Sequence, residues 1–146
     1  MFIELLSNQI VQNCIAFMRL KHFNLSFGSQ LFKSFSDESR IRILHLLLMN
    51  KEMCIADLEL VLDFTQTKIS RHLGYLKNAG IVGYQKADQW AYYYIKEEVL
   101  DIITQLFQYL SKDTVLLQDL ETYRVLYSNR ELAIYKRHQQ LRRRII

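Results

Sequence analysis

The segment Thr65-Gln66-Thr67-Lys68-Ile69-Ser70-Arg71-His72-Leu73-Gly74-Tyr75-Leu76-Lys77-Asn78-Ala79-Gly80 constrains this chain more than any other. Ile69, Leu73 and Leu76 recur at helical spacing, which predicts a helix with one buried stripe. An isolated helix of this length is marginal in water, so the stripe must dock on a core. Docking leaves Gln66, Thr67, Lys68, Ser70 and Arg71 to face outward, crowded toward the helix start. Their amide, hydroxyl and cationic groups are those that read base edges and clamp phosphates. Gly80 stands where the residue just past a helix belongs. Gly74 costs about 1 kcal/mol against Ala in mid-helix. It either lets DNA or backbone come close or is neutral drift.

The flanking segments place this helix in a unit. Cys54 to Leu62 reads as a short helix with Ile55, Leu58 and Leu62 inward, Asp63-Phe64 as a tight turn, and Thr65 as a cap. This is the helix-turn-helix layout. Ile81 to Lys86 and Trp90 to Ile95 then read as two strands about the turn Ala87-Asp88-Gln89, forming a wing. Upstream, Asp37 caps a helix from Glu38 to about Met49, with Ile41, Leu44, Leu47 and Leu48 buried. Asn24 to Gly28 reads as a break before a short helical piece from Gln30 to Phe35. Residues 2 to about 23 form an amphipathic helix carrying Ile3, Leu6, Ile10, Cys14 and Phe17 on one face.

Downstream, Glu97 and Glu98 suit the start of a helix bearing Val99, Leu100, Ile102, Ile103, Leu106, Phe107 and Leu110. That apolar surface is too wide for one docking face and suggests a subunit interface. Asp113 caps a further helix over about 114–127, Ser128-Asn129 is a break, and a last helix covers 131 to about 144. With no proline and four glycines in 146 residues, helices joined by short turns fit better than a many-stranded β fold. The expected fold is mainly α: a winged helix-turn-helix with a two-stranded β-wing and extra N- and C-terminal helices. The expected division is a dimerising helical arm (1–27), a DNA-binding core (28–96), and a dimerisation helix with a basic helical tail (97–146).

The net charge of +4 is not spread over the chain. From Arg130 onward six basic residues face one Glu, a balance of +5, so the other 129 residues sum to −1. A nucleic-acid role therefore rests on the motif and not on a basic body. Two cysteines make no disulfide framework, and a reduced, cytoplasmic setting is expected. No basic n-region opens the chain, and its apolar runs fall far short of a membrane span, so no membrane partner is expected. No nucleophile–base pair, phosphate-cradling glycine loop or metal triad points to an enzyme or a cofactor.

Residues 31–95 resemble the winged helix-turn-helix of the ArsR/SmtB family of bacterial transcriptional repressors. The matching pieces are Phe35-Ser36-Asp37-Glu38-Ser39-Arg40-Ile41-Arg42-Ile43-Leu44, Asp57-Leu58, Lys68-Ile69-Ser70-Arg71-His72-Leu73 with Leu76, Ala79-Gly80-Ile81-Val82, and Tyr92-Tyr93-Tyr94-Ile95. The resemblance implies a homodimer paired through its first and last helices, two recognition helices in successive major grooves of a near-palindromic operator, and an effector that weakens the grip on DNA. Many such relatives sense metals. Where one sensor type carries a Cys-Val-Cys-Asp-Leu run, this chain has Cys54-Ile55-Ala56-Asp57-Leu58, with one thiol replaced. The Asp, His and Glu ligands of another type are missing, since no His lies between Glu97 and Leu126.

The residues expected at DNA are Thr65, Gln66, Thr67, Lys68, Ser70, Arg71, His72, Lys86 and Gln89. Gln66, Thr67 and Lys68 suit base edges, being at the N-terminus of the recognition helix. Ser70 and Arg71 suit phosphates. His72 flanks the buried stripe and is either a contact or a half-buried, hydrogen-bonded residue. Lys86 and Gln89 touch phosphate or the minor groove, or are solvated turn residues. Trp90 to Tyr94 read as strand packing more readily than as a stacking platform. Cys54 reads as a small buried hydrophobe, with a thiol site shared with Cys14 of the partner subunit's arm as the weaker reading. The basic tail binds DNA backbone or is a dipole-matched helix end. The alternative function is a winged-helix protein-interaction module without an operator.

Overall fold

The computed structural model describes residues 23–128. They run α1 (Leu25–Ser34), α2 (Glu38–Asn50), β1 (Glu52–Cys54), α3 (Ile55–Leu62), α4 (Gln66–Asn78), β2 (Val82–Ala87), β3 (Trp90–Ile95), α5 (Glu97–Leu110) and α6 (Thr114–Ser128). The expected N-terminal helix with Cys14, and the expected last helix with its arginines, lie outside the described residues.

Local capping sets the helix starts. The Asp37 carboxylate accepts from the Arg40 amide at 3.0 Å, and the Asp113 carboxylate accepts from Val115 and Leu116 at 2.9 and 3.1 Å. Asn24 does the same for the Phe27 amide at 2.8 Å. The stretch from Asn24 to Gly28 is therefore the start of α1, not a break. Gly28 fits inside this helix, where an added Cβ would meet the Phe23 ring at an ordinary 3.5 Å.

Two further expectations are corrected. The stripe of α2 is turned from the one expected: Ile43, Leu44, Leu46 and Leu47 are fully buried, while Ile41 and Leu48 are only partly so. Elements on several sides of α2 widen its buried arc. The wing strands also have a third partner. The sheet order is β1-β3-β2, all antiparallel, with Met53 opposite Tyr93 and Gly83 opposite Tyr94. At three residues, β1 is too short to show a period of two.

One hydrophobic core, from Leu31 to Leu126, joins these elements. Val99, Ile103 and Phe107 bury one face of α5, while Leu100 (38% exposed) and Tyr109 (88%) remain outside. Helix α6 packs on α2 and α3. Two polar links fix it there. The Arg42 guanidinium donates to both Asp119 carboxylate oxygens at 2.8 and 2.7 Å, and the Tyr127 hydroxyl donates to Asp57. Among the described residues no helix is long and apolar enough to cross a membrane.

Candidate nucleic-acid interface

Helix α4 is held at both ends by its own sequence. The Thr65 hydroxyl accepts from the Lys68 amide at 3.3 Å. Before it, Asp63 takes the left-handed conformation at φ 54°, tolerable for Asp and costly for a branched residue, and so turns the chain between α3 and α4. At the far end Gly80 has φ 78°, and its amide and that of Ile81 donate to the carbonyls of Lys77 and Leu76, both at 3.0 Å. This pairing satisfies the open carbonyls of the last turn and needs the glycine.

Ile69, Leu73 and Leu76 are buried to within 1% and dock α4 on the core. The candidate contacts then fall into three groups. Thr65, Gln66, Thr67, Ser70 and Arg71 are exposed on the outward face. Lys68 is half-buried, with its ammonium 3.4 Å from the centre of the Phe64 ring. The Arg42 guanidinium lies 5.1 Å from the same ring. His72 is only 6% exposed, and its Nδ1 lies 3.9 Å from the Asp37 carboxylate. It sits beside the buried stripe, turned toward the α2 N-terminus and away from the outward face.

Charge around that cap is already committed. Burial holds the His72 imidazole below its ordinary value; Asp37 opposes this, while Arg71, Arg40 and Lys68 add to it. Partial burial raises the Asp37 carboxyl, but the Arg40 amide and the His72 and Arg40 charges outweigh that and hold it low. Arg40 donates to the Ser34 and Lys33 carbonyls at 2.9 and 2.7 Å and stacks 4.2 Å from the centre of the Tyr75 ring. It ties the end of α1 to α4 and faces inward. Composition alone could not have shown this role, although Arg40 stands in the motif.

The wing packs on α4 through β2. Lys86 and Gln89 are exposed at its tip, where Asp88 takes a positive φ of 54° in the two-residue turn. Lys77 approaches the Tyr84 ring at 4.8 Å, linking the end of α4 to β2. Tyr84 packs on Tyr93 at 5.7 Å, so this pair serves strand packing. The outward face of α4 and the wing tip both expose basic and hydrogen-bonding groups, the chemistry that contacts duplex DNA.

Cys54 lies at the α3 N-terminus, buried, with its amide donating to Asp57 at 3.3 Å. Burial and the adjacent Asp57 carboxylate push its thiol up to about 11. At neutral pH it is a thiol, whereas metal binding and exchange need the thiolate. Among the described residues no group of three His, Cys, Asp or Glu side chains is placed to hold a metal ion.

Comparison with known proteins agrees with this geometry. Residues 37–84 match the model of the family described as bacterial regulatory protein, arsR family. The chain is 36% identical over 78 residues to the cadmium resistance transcriptional regulatory protein CadC of Listeria innocua, covering 53% of this chain and 66% of that one. It is 39% identical over 79 residues to the HTH-type transcriptional regulator MJ1325 of Methanocaldococcus jannaschii, covering 54% of this chain and 89% of that one. Among solved structures, HlyU of Vibrio cholerae superposes with a TM-score of 0.56 at 29% identity, covering 62% of this chain and 99% of that one. The match to CadC thus leaves about a third of that regulator's length uncovered.

Proposed function

This chain belongs to the arsR family of bacterial regulatory proteins, and from that premise we propose that it is a homodimeric, cytoplasmic, DNA-binding repressor. Its two α4 helices enter successive major grooves of a near-palindromic operator, and an effector releases them. The observation that carries this reading is the division of α4: a stripe buried to within 1%, and an opposite face of exposed Thr65, Gln66, Thr67, Ser70 and Arg71. Gln66 and Thr67 read base edges, and Ser70, Arg71 and the wing residues Lys86 and Gln89 hold phosphate. Lys68 contributes charge from beside Phe64. The exposed apolar residues of α5 support pairing between subunits. Ala56, standing where the usual run carries its second thiol, supports an effector other than a metal held at that position.

A footprint on the DNA around the protein's own gene tests the operator. Protection of a two-fold site at low salt is expected; well-folded protein that protects none removes the reading. Metal analysis of reduced protein tests the effector statement, and a stoichiometric ion lost in Cys54→Ser would overturn it.

A further inference from the structure

Two of the four glycines have a structural cause. Gly80 needs its positive φ, and a Cβ on Gly83 would stand 2.8 Å from the Tyr94 ring. A Cβ on Gly28 would make only an ordinary contact with the Phe23 ring, at 3.5 Å. Gly74 differs. It lies inside α4 with ordinary helical backbone, and a Cβ there meets nothing within 4 Å among the described residues. A glycine at such a position weakens a helix for no packing gain.

Its neighbours show what it faces. On a helix surface the residues three and four away are adjacent. For Gly74 these are Ser70, Arg71, Lys77 and Asn78, and all four are exposed. Gly74 is thus a gap in the middle of a patch bearing a hydroxyl, a guanidinium, an ammonium and an amide. Every one of these groups donates hydrogen bonds, and two carry positive charge, which fits the oxygens of a phosphate strand.

We propose that Gly74 is where the sugar–phosphate strand of bound DNA comes closest to α4, the missing side chain leaving room for a strand held by the four surrounding donors. This rests on the DNA-binding reading above. The helix accepts the loss of stability at this point because a Cβ would hold the strand away.

Gly74→Ala and Gly74→Leu, compared with the unaltered chain, test it. Thermal unfolding and gel-shift titration are measured on a footprinted operator duplex and on an unrelated duplex of equal length. Gly74→Ala should melt about 2–6 °C higher, as expected for relief of a helix glycine in a chain of this size. It should bind both duplexes roughly fivefold or more weakly, the range of one lost contact, and Gly74→Leu should bind more weakly still. Unchanged affinity in both variants, with normal binding by the unaltered chain, would overturn the proposal. So would a lower melting temperature for Gly74→Ala, which would reveal a packing role, or a loss confined to the operator, which would reveal a base contact. Absence of binding by the unaltered chain would instead remove the DNA-binding reading itself.

Discussion

On α4 the side chains of one motif have separate duties. Ser70, Arg71, His72 and Leu73 are consecutive, yet the first two are exposed, His72 faces Asp37, and Leu73 is in the core. A helix advances about 100° per residue, so neighbours in sequence cannot share a face. From spacing alone the buried stripe was legible, and so were the caps Thr65 and Asp37, because both are local. The inward turn of His72 was not, since it depends on Asp37, thirty-five residues away. The exposed pair Gln66 and Arg71 gives a test. Arg71→Ala should weaken binding to all sequences and lower the salt slope by about 1, whereas Gln66→Ala should mainly alter sequence preference by about 1–3 kcal/mol. Titrations on operator and unrelated DNA at several salt concentrations separate these outcomes, and equal effects of both changes on both duplexes would contradict the assignment.

Among the elements, α6 was legible as a helix but not as part of the recognition unit. Its anchors pair residues far apart in the chain: Arg42 with Asp119 and Asp57 with Tyr127. Periodicity cannot indicate such pairs. Arg42 also approaches Phe64, and Phe64 carries Lys68. Helix α6 is thus connected through one guanidinium to the first turn of the recognition helix. Asp119 is 4% exposed, so its removal leaves Arg42 without its buried counter-ion. Asp119→Ala should cost about 2–4 kcal/mol of stability in urea unfolding, below the full value for a buried pair because Arg42 is partly solvated. Asp119→Asn, which keeps an acceptor, should cost less. If both changes left stability untouched, the pair would not anchor α6. Strand β1 shows the complementary case: Glu52–Cys54 becomes a strand only because β3 offers it an edge.

At the scale of the whole molecule, the core sets a pH response. His45 is 6% exposed beside the Phe107 ring, and its Nδ1 has no hydrogen-bond partner among the described residues. Burial holds this imidazole below its ordinary 6.5, with Asp119 and Asp113 opposing, and His72 is shifted the same way. The unfolded chain therefore binds protons more readily than the folded one. Stability is complete above about pH 6.5 and declines as pH falls below it. Melting temperatures measured from pH 7.5 to 5 should drop, and His45→Leu should flatten part of that slope; an unchanged slope in the variant would rule out His45 as a source. The sequence by itself determined the order helix, turn, helix, wing and the exposed outward face of α4, because stripes, caps and turn residues act between near neighbours. The tertiary structure alone decided that β1 completes the sheet, that α6 anchors to α2 and α3, and that His72 turns to Asp37. Each of these needs a partner whose distance in sequence carries no signal of its nearness in space.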